Sequence, residues 1–226
     1  MFENIPKATK NLIAINIIVF VATLINQDFM VSRFALFYPA SQYFRPWQII
    51  THMFMHGGFW HILFNMYALY MFGSIIERTI GEKKFLILYF VCGLGAVVLH
   101  LGVQYIQAQT FMTGIANGSA NAVANYAALK MTPTLGASGA IYGLLIGYAM
   151  LFPDARLSLI FLPFTSMSSK TWVIIFAVIE LLTGITGMVD GVAHFAHLGG
   201  MLFGWLLIRY WKKKGTLFND YTGYGY

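Results

Sequence analysis

Ser138 sits in LGASGAIYG, residues 135–143, where Gly136, Ala137, Gly139, Ala140 and Gly143 crowd around one hydroxyl in an otherwise apolar stretch. A serine in that setting either lets two helices touch or serves as a nucleophile that needs room. As a nucleophile it requires a base within hydrogen-bond reach to take its proton. Histidine is the usual base, and His61, His100, His194 and His197 all fall in apolar segments, together with Asn65, Tyr142 and Glu180. Ionisable groups inside a membrane are costly and mostly functional. His61 and Asn65 stand four residues apart, as do Ser138 and Tyr142, so each pair projects from one helix face.

These residues need long apolar elements to carry them. Only 10% of the 226 residues are charged and 58% are apolar, against about a quarter charged in a soluble domain. A membrane-spanning helix takes about 20 mostly apolar residues. Six segments qualify or nearly so: 11–27, 61–76, 85–107, 136–152, 171–188 and 194–211. With no internal repeat and no low-complexity stretch, residues 1–226 read as one domain, an all-α membrane protein built as a bundle of six transmembrane helices. Lys7 and Lys10 precede the first apolar run, but no small-residue cleavage site follows, so that run is expected to be retained as a span. The one cysteine, Cys92, excludes an internal disulfide framework.

Six spans put both termini on one side. Eleven of the 14 basic residues (Lys7, Lys10, Arg78, Lys83, Lys84, Arg156, Lys170, Arg209, Lys212, Lys213 and Lys214) fall on that side, which the positive-inside rule makes cytoplasmic. The net charge of +6 thereby serves topology and anionic lipid and calls for no nucleic acid. Of the outer connections, residues 28–60 mix aromatics with polar residues and suit the membrane interface. Residues 108–135 read as a long, small and polar loop with a short helix around 121–130.

The second, fourth and sixth spans run in the same direction and carry His61 with Asn65, Ser138, and His197 in their first turns. All lie roughly 5–10 Å below the outer surface at 1.5 Å per residue. Gly139, Gly143 and Gly147 form a four-residue ladder on the fourth span, and Gly200 and Gly204 form another on the sixth. Such faces let helix backbones approach closely, and packing one on the other brings Ser138 within reach of His197.

GlyAlaSerGly at 136–139, AlaHisLeuGlyGly at 196–200 with Gly204, and HisIleLeuPheAsn at 61–65 resemble, in order, the motifs of the rhomboid intramembrane serine proteases. The resemblance covers about residues 10–211. It implies Ser138 as nucleophile and His197 as general base. Asn65 and His61 become side-chain donors to the oxyanion, beside the Ser138 N–H, and Tyr142 the aromatic that orients the base. Gly136, Gly139, Gly143, Gly200 and Gly204 are expected as helix-packing glycines, with Gly136 also leaving space at the point of attack. His52 and His56 match supporting histidines of the outer loop, and Glu77, Arg78 and Gly81 a structural cap below the second helix. Gln48 follows Trp47 where the family commonly has arginine, so the anchoring of this loop is expected to differ.

No acid is evident beside the histidine, so the pair reads as a dyad. Glu180 is expected as a buried hydrogen-bonding residue or gate element, His100 as a bundle histidine, and His194 in a loop or helix-cap role. The expected activity is hydrolysis of peptide bonds in or near transmembrane segments of other membrane proteins, with no cofactor and no metal. The partners are transmembrane substrates and the lipid bilayer. A bacterial inner membrane is the expected location, with the site facing the periplasmic or extracellular side. Two alternatives stand beside this reading. One is a proteolytically inactive rhomboid-like binding protein. The other is a metal-binding membrane transporter using His52, His56, His61 or the His194–His197 pair.

Overall fold

The computed structural model describes residues 5–159, 162–186 and 193–218. In chain order, α1 (Lys7–Ile25) leads into α2 (Gln27–Phe34). The short α3 (Gln48–Thr51) continues as a 3₁₀ turn, His52–Phe54. Then α4 (Phe59–Ala68), a π-helical turn at Leu69–Gly73 and α5 (Ser74–Ile80) form one continuous rod. Next come α6 (Glu82–Ala116), α7 (Ala120–Met131) and α8 (Ser138–Leu151). An antiparallel hairpin of β1 (Arg156–Leu159) and β2 (Leu162–Ser168) precedes α9 (Ser169–Thr186), and α10 (His194–Lys213) closes the order.

Four rods are long and apolar enough to cross a bilayer: α1 with 19 residues, the 22-residue stretch Phe59–Ile80, α6 with 35 and α9 with 18. The apolar α8 is shorter, at 14 residues. Large apolar side chains point outward along these rods; Leu24 is 70% exposed, Ile25 81% and Leu182 57%. No soluble domain presents whole helices this way, and the molecule is a helical membrane bundle.

Lipid chains are as apolar as leucine, so helices in a membrane are held by close packing more than by the hydrophobic effect. The tightest packing here joins α8, α10 and α6. A side chain at Gly200 would land on the Gly139 carbonyl oxygen. One at Gly204 would come within 2.7 Å of the Gly143 oxygen, and one at Gly199 within 2.6 Å of the Gly95 oxygen of α6. At Gly143 a methyl would strike Cys92, also on α6. The two glycine ladders therefore face each other, and small residues of α6, which the spacing of the ladders did not point to, complete a three-helix seam.

Polar anchors hold the rest. Glu77, buried in α5, accepts the backbone N–H groups of Ala8 at 2.9 Å and Thr9 at 2.7 Å, and the Thr9 hydroxyl at 2.7 Å. It thus satisfies first-turn donors of α1 and places negative charge at the positive end of that helix. In the 28–60 connection the fully buried Gln48 accepts from the Arg45 N–H at 3.1 Å and donates to the Tyr43 carbonyl at 2.9 Å. Trp47 donates to the Arg33 carbonyl and Thr51 to that of Phe34. The loop is folded around a neutral amide that both donates and accepts, which a guanidinium cannot do.

Two connections depart from expectation. Residues 108–135 are mainly helix: α7 is the short helix expected around 121–130, but α6 also runs on to Ala116, and α7 packs back so closely that a methyl on Gly114 would meet the Ala122 Cβ at 2.8 Å. Hydropathy reads this stretch as polar, but alanine-rich composition favours helix regardless of polarity. The β1–β2 hairpin was not anticipated either.

The seam has a direct test. Gly200→Ala should lower thermal stability in detergent by about 1–3 kcal/mol, the usual range for overpacking. Gly147→Ala should cost less, since its methyl would stand 3.3 Å from the flexible end of Leu88. The reverse order would contradict the packing.

Candidate active site

Ser138 is the first residue of α8, His61 the third of α4 and His197 the fourth of α10, so all three start at one end of the bundle. The chain reaches Ser138 through a tethered segment. Leu36 and Thr134 exchange backbone hydrogen bonds of 2.8 and 2.7 Å, the Thr134 hydroxyl meets His100 Nε2 at 2.8 Å, and the Gly136 N–H donates to the His52 carbonyl at 2.9 Å. Gly136 then turns with φ of +131°, a conformation open to glycine and strained for other residues.

Across the glycine seam, Ser138 Oγ lies 2.8 Å from His197 Nε2. With Nε2 accepting the hydroxyl proton, a neutral ring carries its hydrogen on Nδ1. Tyr142, one turn below Ser138, stacks on the imidazole with ring centroids 4.2 Å apart and planes 7° from parallel. Its hydroxyl does not touch the histidine but donates to Glu180 Oε1 at 2.5 Å.

Glu180 is the residue that sequence reasoning undervalued. It projects from α9, is buried, and places Oε1 3.0 Å from His197 Nδ1. The oxygen lies off the N–H direction, so the contact has the geometry of an ion pair more than of a linear hydrogen bond. Its other oxygen receives His194 Nδ1–H at 2.7 Å, and Thr183 Oγ1 lies 3.0 Å from the same nitrogen. The reading of Ser138 and His197 as a pair without a neighbouring acid is therefore corrected: an acid faces the far side of the ring. His194 is neither a loop residue nor a cap; it opens α10 and holds Glu180. The available signal was a lone carboxylate in an apolar helix, but nothing in the sequence fixed which way α9 turned it.

Gly136 and His61 lie beside Ser138. A side chain at Gly136 would come within 2.9 Å of His61 Nε2 and 3.5 Å of Ser138 Oγ, so the absent Cβ leaves a space bordered by both groups. Gly136 precedes α8 and takes no part in the helix seam; its expected packing role is corrected to that of making room. Asn65 is buried one turn below His61, and its Nδ2 donates to the His61 carbonyl at 2.8 Å. One hydrogen of that amide is committed to its own helix and the second is uncommitted.

His52 and His56 lie in the connection before α4. His52 Nδ1 meets the Gln48 carbonyl at 2.8 Å, and His56 packs edge-on against His61 with centroids 4.9 Å apart. Burial pushes His52 down to about 4 and His56 to about 3, so both are neutral at physiological pH. Among the described residues no three histidine, cysteine or acidic side chains gather as metal ligands.

The family profile described as a Rhomboid domain matches residues 43–214, a range that contains every residue of this site. The chain belongs to the rhomboid family. Similar rhomboid proteins include the bovine presenilin-associated rhomboid-like protein, mitochondrial, 32% identical over 177 residues, 75% of this chain and 40% of that one. The Danio rerio presenilin-associated rhomboid-like protein A, mitochondrial, is 31% identical over 93% of this chain and 51% of its own length. Rhomboid protein 1, mitochondrial, of Saccharomyces cerevisiae is 28% identical over 74% and 43%. This rhomboid chain thus spans about half the length, or less, of these curated relatives.

The buried loop histidines give a pH prediction. A histidine ordinarily titrates near 6.5, and His56 in the fold near 3. As pH falls below about 6.5 the unfolded chain takes up a proton that the folded chain refuses, so stability drops. Thermal unfolding in detergent should show a falling midpoint between about pH 6.5 and 5, and His56→Gln should shrink that fall. A midpoint flat over this range, or a fall unchanged in the variant, would contradict the burial of a neutral ring.

Proposed function

We propose that this rhomboid protein is an intramembrane serine endopeptidase. The observation that carries the reading is the 2.8 Å contact between Ser138 Oγ and His197 Nε2, two residues 59 apart in sequence. His197 Nε2 takes the hydroxyl proton as Oγ bonds to the scissile carbonyl carbon, and the carbonyl's π pair moves to oxygen. Collapse of that intermediate breaks the C–N bond, and the imidazolium returns its proton to the departing amine. Water then attacks the acyl-enzyme with His197 again as base, which frees the carboxyl product and restores Ser138.

The developing oxyanion needs preorganised donors. We assign that part to His61 Nε2–H, which borders the space at Gly136, to the Ser138 backbone N–H at the positive end of α8, and to the second amide hydrogen of Asn65. Tyr142 keeps the imidazole plane fixed by stacking.

In this reading the six rods at 7–25, 59–80, 82–116, 138–151, 169–186 and 194–213 each cross the bilayer, with the basic flanks on one side and the site near the opposite surface. The substrates are then transmembrane proteins cut near the outer end of a span. Small residues there ease the unwinding that must free a hydrogen-bonded carbonyl before attack. The relatives are named as mitochondrial proteins, which speaks against the expected bacterial inner membrane, and the chain is assigned to a membrane.

The test is cleavage of a single-span substrate with a glycine- and alanine-rich outer end by the purified protein. Ser138→Ala and His197→Gln should abolish cleavage. Asn65→Ala should lower kcat by about 10²-fold, the typical effect of losing one oxyanion donor, with little change in KM, and chelators should have no effect. Undiminished cleavage by Ser138→Ala would overturn the reading, and loss of cleavage on chelation would replace it with metal chemistry.

A further inference from the structure

We infer that Glu180 is the positioning residue of the catalytic histidine, making the hydrolytic centre a Ser138–His197–Glu180 triad assembled from three helices. The inference rests on the protease reading above and deepens it. Ser138 comes from α8, His197 from α10 and Glu180 from α9.

The geometry is that of a carboxylate held ready. Glu180 Oε1 receives the Tyr142 hydroxyl at 2.5 Å, and Oε2 receives His194 Nδ1–H at 2.7 Å. Lengths this short are typical of hydrogen bonds to an ionised acceptor. Two donors thus fix the carboxylate, and it remains 3.0 Å from His197 Nδ1. With Nδ1–H attracted to that oxygen, the lone pair of Nε2 faces Ser138, the tautomer that general-base catalysis requires. When Nε2 accepts the serine proton the ring becomes cationic and pulls the carboxylate closer. Glu180 keeps its charge throughout and takes no proton; the proton shuttles only between Ser138, His197 and the leaving amine or water.

Tyr142 has a double part in this arrangement. It stacks on the ring that Glu180 faces and donates to the carboxylate that faces the ring. The stack fixes the plane of the imidazole, whereas the carboxylate fixes its hydrogen and its charge. Stacking alone distinguishes neither nitrogen of the ring, so it cannot supply what Glu180 supplies. Among the described residues, the other ionisable groups close to His197 are His194 on its own helix, His61 from α4 and His100 from α6. All three are histidines and none can place a negative charge there.

The test compares wild type, Glu180→Gln, Glu180→Asp and Ser138→Ala in full-length protein, with a fluorescent single-span peptide as substrate. Glu180→Gln should lower kcat by about 10²-fold or more, below the roughly 10⁴-fold cost of neutralising the acid of a soluble serine protease, with KM nearly unchanged. The acid limb of its residual kcat/KM profile should move to lower pH, because the imidazolium has lost its counter-charge. Glu180→Asp should restore part of kcat and return the acid limb toward wild type. A purely structural strap would lose activity in step with thermal stability and leave the limb in place. Wild-type kcat and an unmoved acid limb in Glu180→Gln would overturn the assignment while Ser138→Ala stays inactive. Full activity of Ser138→Ala would instead overturn the protease reading itself. Nitrogen-15 histidine NMR of the wild type adds a check that needs no variant to fold. His197 should show a proton on Nδ1 and a bare Nε2 at neutral pH, and the opposite tautomer would overturn the proposal.

Discussion

The close approach of three helix backbones governs the rest of this structure. Gly200 lies against the Gly139 carbonyl, Gly204 against that of Gly143, and Gly199 against that of Gly95, with Cys92 filling the space between. At those points even one methyl would separate the helices. Ser138 lies just before Gly139, and His197 one turn before Gly200 and two turns before Gly204. The distance between hydroxyl and imidazole is therefore set by the seam, and needs no flexible side chain reaching across a gap. A site held by rigid elements keeps its geometry within the narrow limits that proton transfer demands.

Around that seam the polar groups form two sets with different tasks. One is structural and lies away from Ser138: Glu77 over the first turn of α1, and Gln48 at the centre of the loop before α4. The other lies at Ser138 and links three helices, α8, α9 and α10. Within it Ser138 bonds His197, and Tyr142 and His194 bond Glu180, so the network holds the ring of His197 from both sides. Glu180 ties both sides of the second set together, since it holds Tyr142, His194 and His197 at once.

Much of this was legible in the sequence because membrane helices leave few alternatives. Polar residues stand out against an apolar background, and four-residue spacing fixes which of them share a face. Ser138, Tyr142, His197 and the glycine ladders could be phased against each other for that reason. Glu180 could be noticed but not aimed, since α9 carries no glycine ladder to reveal its rotation. The small residues of α6 were hidden for a similar reason: Cys92, Gly95 and Ala96 share one helix face by spacing, but nothing in the sequence assigned that face to α8 and α10. Gln48 looked like a departure from pattern, and only the backbone groups around it disclose that an amide meets both their donors and their acceptors. In the stretch 108–135 the short helix around 121–130 was legible, but polarity hid the continuation of α6 to Ala116.

The central claim is that the seam makes Ser138 a nucleophile by placing His197 beside it. Reaction of the purified protein with a fluorophosphonate, followed by peptide mass mapping, tests this most directly. One adduct is predicted, on Ser138, forming quickly in wild type and very slowly in His197→Gln. An adduct on another residue, or equal rates in the two proteins, would contradict it.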